Sequence, residues 1–152
     1  MDIQKGELIK VTRHEEFEAA HLLPNYDGPC GNLHGHTYKL ELTLEGPQNE
    51  DYYGMVMDFN DLKKMIKEIV PDHKFMVWKD DEISMKIVKV LDEYGLKYML
   101  FPHATTAENM VADFAAMFDE YIHNELNLPD VHVYEINLWE TTNSHATWKR
   151  GN

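Results

Sequence analysis

His34 and His36 stand one residue apart in the run His34-Gly-His36-Thr-Tyr38-Lys-Leu40. In an extended strand alternate side chains leave from one face, so both imidazoles can reach a single ion without bending the backbone. His21 closes an earlier alternating stretch in which Phe17, Ala19 and His21 share a parity. If the two strands pair, three imidazoles converge. Three protein ligands, with a fourth position left for water or substrate, is the usual arrangement of catalytic zinc. A histidine pair on a strand is also an ordinary half-buried, hydrogen-bonded pair, and nine histidines in one chain make coincidence easier. The residues by themselves leave both readings open. His14, His103, His123 and His132 lack such spacing and read as surface or capping residues, and His145 stays unassigned.

A second metal-binding pattern competes. Gly28, His34, His36 and Glu41 are spaced as in the first cupin motif, which would imply an iron site. Strand parity sends Glu41 to the face opposite both histidines, the glycine expected further on is missing, and long helical patterns suit an all-β barrel poorly.

The elements that must position these side chains can be read from periodicity. Residues 7–21 form a strand, and residues 22–33, with Pro24, Asn25, Asp27, Gly28, Pro29 and Gly31, a loop. Over residues 34–44 the even positions His34, His36, Tyr38, Leu40, Leu42 and Leu44 share one face against Thr37, Lys39, Glu41 and Thr43. Asp58 is placed to cap a helix whose stripe is Phe59, Leu62, Ile66, Ile69 and Val70, ended by Pro71. A second helix over residues 82–94 puts Ile83, Ile87, Val90 and Leu91 on one face and stops at Gly95, before a short strand over 97–101. Thr105 and Glu108 have capping-box spacing ahead of a long helix lined by Val111, Phe114, Phe118, Tyr121 and Ile122. Strands over 131–140 and beyond the turn at 142–144 follow. Strands, then helices, then strands favour an α+β fold with an antiparallel sheet over a doubly wound parallel one.

Length and composition narrow the partners. A chain of 152 residues fits one domain spanning 1–152. The lone Cys30 excludes an internal disulfide framework and suits a reducing compartment. The N-terminal MDIQKGELIK has no apolar signal core, and no run approaches the roughly 20 apolar residues of a bilayer span, which points to the cytoplasm. With 27 acidic against 14 basic residues, the net charge of −13 opposes binding to nucleic acid or anionic membranes. Arg13, Lys74, Lys149 and Arg150 remain available to receive a small phosphorylated substrate.

Phe17-Glu-Ala-Ala-His21, Cys30-Gly-Asn-Leu-His34-Gly-His36, Asp72-His73-Lys74, Thr106-Ala-Glu108 and Trp139-Glu140-Thr141 run in the order seen in the 6-pyruvoyltetrahydropterin synthase family, which the chain resembles over most of its length. Each motif is weak alone, and five in order are specific. The resemblance implies a tunnelling fold (T-fold): an antiparallel sheet with helices layered on one face, assembling with identical subunits into an oligomeric barrel. A homo-oligomer, often a hexamer, with active sites at subunit interfaces is implied too. So are zinc on His21, His34 and His36, Cys30 as the base that takes a substrate proton, and Asp72 with His73 as a proton-transfer pair. Glu140 would anchor a pterin ring, with Glu108 and Thr106 nearby.

These implied roles are chemically sound. Zinc polarises side-chain oxygens of the substrate and stabilises enolate-like charge, which acidifies the adjacent C–H. A cation nearby favours the thiolate of Cys30, and a carboxylate such as Glu140 accepts two parallel N–H bonds from an amino-pyrimidinone edge. The short Cys-x-x-x-His-x-His spacing resembles the branch of the family that leads to 7-deazaguanines such as queuosine. The reaction implied converts 7,8-dihydroneopterin triphosphate to 6-carboxy-5,6,7,8-tetrahydropterin with release of acetaldehyde and triphosphate, a carbon–carbon lyase reaction. Another pterin side-chain lyase activity, including pyruvoyltetrahydropterin formation, and a non-catalytic pterin- or metal-binding role remain alternatives. Two departures bear on substrate scope: Phe75 and Met76 stand where the family usually has Asn-Leu, with Pro71 for leucine, and the stretch between His73 and Thr106 is long.

Overall fold

Two long alternating segments set the centre of the sheet. The computed structural model of the chain describes residues 7–151. Strand β1 (Leu8–His21) runs antiparallel to β2 (His34–Pro47), in unbroken register from Leu8 opposite Pro47 to His21 opposite His34. The remaining elements are α1 (Phe59–Ile69), β3 (Lys74–Trp78), α2 (Glu82–Glu93), β4 (Tyr98–Phe101), α3 (Ala107–Glu120), β5 (His132–Thr141) and β6 (Ser144–Lys149). Together the strands make one sheet of order β4-β3-β1-β2-β5-β6. Among the described residues no helix is long and apolar enough to cross a membrane.

Short polar side chains start the helices by taking orphan backbone N–H groups. Asp58 accepts from the Asn60 N–H at 2.7 Å and Asp81 from the Ser84 N–H at 2.8 Å. Gly95, at φ 67, closes α2 in the left-handed region that a Cβ would strain, and Leu96 N–H donates back to the Leu91 carbonyl at 2.8 Å. The third helix begins one residue later than the capping-box spacing indicates. Thr106, not Thr105, is its cap, accepting from the Asn109 N–H at 3.3 Å. The Thr105 side chain is engaged by a buried histidine instead.

Inward-facing Phe17, Tyr38, Leu40, Leu42, Ile136 and Leu138 meet Leu62 and Ile66 of α1 and Phe114 and Phe118 of α3 in the main core. Phe17 stacks on Tyr38 at 5.0 Å between centroids, and Phe114 sets its edge on Phe17 at 6.2 Å and on Phe101 at 5.8 Å.

The α+β class and the antiparallel centre agree with the sequence, and two details of layering differ. First, β3 joins β1 in parallel at Ala19 and Ala20, and β4 joins β3 in parallel, so the sheet is mixed. Second, only α1 and α3 cover the main core. Helix α2 packs on the other face, where Val88 meets Phe75 and Val77 beside Ala20 and Leu22. Met76 faces the main core while its neighbours Phe75 and Val77 face α2, so this short strand is apolar on both sides. That run without alternation is why periodicity missed β3, and a helix connecting two parallel strands is the usual crossover.

Leu40 lies mid-sheet between β1 and β5 with no solvent contact. Leu40→Ala should lower unfolding free energy by about 3 kcal/mol, read as a lower denaturant midpoint at unchanged slope.

Candidate functional site

The register that ends β1 opposite the start of β2 brings the three histidines together. His21 and His34 are direct cross-strand partners, and one ligand nitrogen from each of His21, His34 and His36 lies within 4.8 Å of the others. Each ring is oriented from behind. The His21 Nδ1–H donates to the Thr105 carbonyl at 2.9 Å, with the Thr105 hydroxyl at 3.2 Å, and the His34 Nδ1–H donates to the Asn32 carbonyl at 2.7 Å. A carbonyl can only accept, so in the neutral rings both Nε2 atoms carry lone pairs.

Those two lone pairs point at each other across 3.1 Å. Without an electrophile between them they repel. A metal bound at about 2.0–2.1 Å holds tetrahedral nitrogens about 3.3 Å apart, so the spacing fits a shared ion. His36 Nε2 is buried without a hydrogen-bond partner, which fits the same donor set. The described residues can therefore hold a metal.

Burial favours the neutral form of His21 and His36. Desolvation drops His21 from 6.5 to about 4; the Thr105 carbonyl pulls the other way, and His34 and His36 add to the drop. His36 is also lowered, by burial first, against the raising charge of Glu140 and with a lowering charge from His34. Tyr38, fully buried on the histidine face of β2, places its hydroxyl 3.3 Å from His21 Nε2. Its phenol is pushed upward by burial, then by the charges of Glu140 and Cys30.

Glu140 ends the inward parity of β5, with its Oε1 3.4 Å from His36 Nε2. It also borders a cleft of about 210 Å³ with Leu23, Thr106, Glu108 and Ser144. The three residues expected at a pterin thus share one cleft beside the histidines. Glu108 lies in the first turn of α3 and faces this cleft, not a capping box.

Cys30 occupies a 3-10 turn, Pro29–Gly31, pinned by Leu23 N–H donating to the Cys30 carbonyl at 2.9 Å. It lies in the connection between β1 and β2, shortly before His34. Asp72 and His73 immediately precede β3. His73, at φ 58 and 75 % exposed, places Nδ1 3.1 Å from Asp72 Oδ1 and Nε2 3.8 Å from Glu18 Oε2. Glu18 has the outward parity of β1, and His73 lines a cleft of about 510 Å³ with Glu18, Ala19, Gly35, His36, Thr37 and Phe75, so this cleft reaches from the Asp72–His73 turn to one of the three histidines. Asp72 sits below the usual carboxylate range chiefly because the Glu18 N–H donates to it at 2.9 Å. Among the described residues no hydrogen bond or ion pair joins Cys30 to Asp72 or His73.

Three contributors escaped the sequence. Tyr38 shares strand parity with the histidines, a signal that was available. Thr105 and Asn32 act through backbone carbonyls, which no residue pattern reveals.

This mixed sheet with three helices is the T-fold, and the comparisons agree. The chain matches the family described as 6-pyruvoyl tetrahydropterin synthase over residues 10–151, and it belongs to that family. It is 34% identical over 151 residues to the 6-carboxy-5,6,7,8-tetrahydropterin synthase of Haemophilus influenzae, covering 93% of this chain and 99% of the relative. The enzyme of that name from Rickettsia bellii is 34% identical, with 90% of this chain and 96% of the relative covered. Among solved structures, Plasmodium vivax 6-pyruvoyltetrahydropterin synthase superposes with a TM-score of 0.69 at 20% identity, over 95% of this chain and 98% of that one. The Caenorhabditis elegans 6-pyruvoyl tetrahydropterin synthase gives 0.65 at 22%, over 97% and 99%.

A histidine held neutral in the fold but free to protonate when unfolded costs stability in acid. Metal-free protein should lose about 3 kcal/mol as pH falls from 6.5 to about 4, with full stability above that window. His21→Gln should flatten that part of the profile in denaturant unfolding at stepped pH.

Proposed function

We propose that the chain is a zinc-dependent 6-carboxytetrahydropterin synthase. It converts 7,8-dihydroneopterin triphosphate and water to 6-carboxy-5,6,7,8-tetrahydropterin, acetaldehyde and triphosphate, a carbon–carbon lyase step suited to 7-deazaguanine synthesis. The observation that carries this reading is the pair of opposed His21 and His34 lone pairs beside the cleft bordered by Glu140, Glu108 and Thr106. The identity to named 6-carboxy-5,6,7,8-tetrahydropterin synthases supports the branch.

The residues divide the work by position. Zinc, held by His21, His34 and His36, supplies Lewis acidity toward the side-chain oxygens of the substrate. Glu140 accepts from the amino-pyrimidinone edge of the pterin, and its 3.4 Å approach to His36 keeps that ring's side chain near the ligands. Glu108 and Thr106 line the same cleft. Cys30, in the connection that leads into the histidine strand β2, takes the substrate proton. Asp72 holds His73 by its Nδ1 and leaves Nε2 to exchange protons.

Among the described residues Cys30 makes no hydrogen bond or ion pair with Asp72 or His73, and a second subunit completing the site would bring these groups into one constellation. A homo-oligomer with active sites at subunit interfaces, a hexamer by family precedent, fits. Free edges among the described residues support it: there β1 pairs with β3 only at Ala19 and Ala20, and β6 pairs only with β5. Each subunit is then one pterin synthase domain over residues 1–152, working in the cytoplasm on a small molecule and not on nucleic acid or membrane.

Metal content and anaerobic turnover of 7,8-dihydroneopterin triphosphate test the reading. Purified protein should hold zinc and yield 6-carboxytetrahydropterin with acetaldehyde. Cys30→Ala should keep the metal and lose turnover by at least about a hundredfold, while His34→Ala should lose both. Zinc with a different pterin product would move the chain to another branch of the family, and zinc without any turnover would leave a binding role.

A further inference from the structure

Residues 102–106, between β4 and α3, carry the carbonyl that sets the His21 tautomer. Thr105, within that loop, is 1% exposed and gives both its carbonyl and its hydroxyl to His21 Nδ1. On its C-terminal side the loop is tied to α3 by Asn109, whose Nδ2 donates to the Ala104 carbonyl at 2.9 Å. On its N-terminal side the side-chain tether among the described residues is His103, whose Nδ1 donates to Asp113 Oδ1 at 2.8 Å.

Asp113 is an unusual anchor. It lies inside α3 with only 7% of its surface exposed, between the core residues Met110 and Phe114, and its Oδ2 is buried without a partner. Withdrawing a carboxylate from water for one hydrogen bond is costly, and an apolar residue at the same place would avoid that cost. A helix that needed only packing here gains nothing from the acid. The loop gains a fixed point two residues before Thr105.

We propose that His103 and Asp113 are a positioning pair for the metal site, pinning the 102–106 loop so that the Thr105 carbonyl stays on the His21 Nδ1–H. His21 Nε2 then stays aimed at the ion instead of sampling other ring orientations. This rests on the metal reading above. Removing an outer partner of a metal-ligating histidine typically weakens metal affinity 10- to 100-fold, and a group one contact further out should act at the low end, about tenfold.

The test measures zinc affinity by chelator competition and the visible spectrum of the cobalt-loaded protein, with melting of the metal-free protein alongside. His103→Ala should weaken zinc binding about tenfold and alter the cobalt bands. His103→Asn, whose amide nitrogen stands where Nδ1 was, should restore most of both. The double variant His103→Leu with Asp113→Leu removes the buried charge and its partner together, so its metal-free form should melt at or above wild type while zinc binding stays weak. Wild-type affinity and spectrum in that double variant would overturn the pairing. Equally, loss of affinity in His103→Ala that only tracks lost melting temperature, or that His103→Asn leaves unrepaired, would reduce the pair to a structural contact. Should the double variant not fold, His103→Ala set against His103→Asn still decides between a positioning pair and a structural contact. His34→Ala separates the two readings: if it binds zinc like wild type, or if wild type binds none, the metal site itself falls and the pair's role with it.

Discussion

The antiparallel register of β1 and β2 is the constraint on which the rest depends. Every cross-strand pair from Leu8–Pro47 to His21–His34 follows from one alignment, and side chains on a strand alternate between faces. A slip by one residue would send His34 and His36 to the far side of the sheet from His21 and expose Leu40, Leu42 and Leu44 to water. The apolar face therefore enforces the register, and the register delivers the ligands. Packing and function are set by the same alignment.

At the end of that ladder three imidazoles are concentrated with little water. Burial and mutual repulsion hold His21 and His36 neutral, the state in which an imidazole coordinates a cation. Thr105 and Asn32 orient the rings through carbonyls from two different connections, the one preceding α3 and the one preceding β2. The site is thus assembled from the strand pair and held by its surroundings, the pattern expected when outer contacts tune a metal centre.

The sheet is used on both faces. Helices α1 and α3 cover the one that carries the histidines, Tyr38 and Glu140, while the β3–α2–β4 unit builds a second small core on the other. Phe75 and Met76, which depart from the family pattern after Asp72-His73-Lys74, are the residues that make β3 apolar toward both cores. The turn before β3 holds His73 in a left-handed conformation, tied by its N–H to the Glu18 carbonyl at 2.6 Å. The long stretch between His73 and Thr106 holds the β3–α2–β4 unit, whose Met76 and Phe101 reach back into the main core, and Thr105, which bonds His21.

Strand parity put His34 and His36 on one face of their strand and His21 on the apolar face of its own from the sequence alone, while the pairing of the strands, with His21 opposite His34, came from the fold. The α3 stripe and the cap at Asp58 were equally local and equally legible, whereas in α2 the buried residues are Ser84 and Val88 while Ile83 and Val90 of the expected stripe are exposed. Tertiary structure decided the rest. Thr105 and Glu108 had the spacing of a capping box, yet a buried histidine competes for Thr105 and shifts the cap to Thr106. The run Phe75-Met-Val-Trp78 showed no period, since a strand buried on both faces has no polar side to alternate with. The carbonyls of Thr105 and Asn32 belong to a backbone that is the same at every residue, so only folding could choose them.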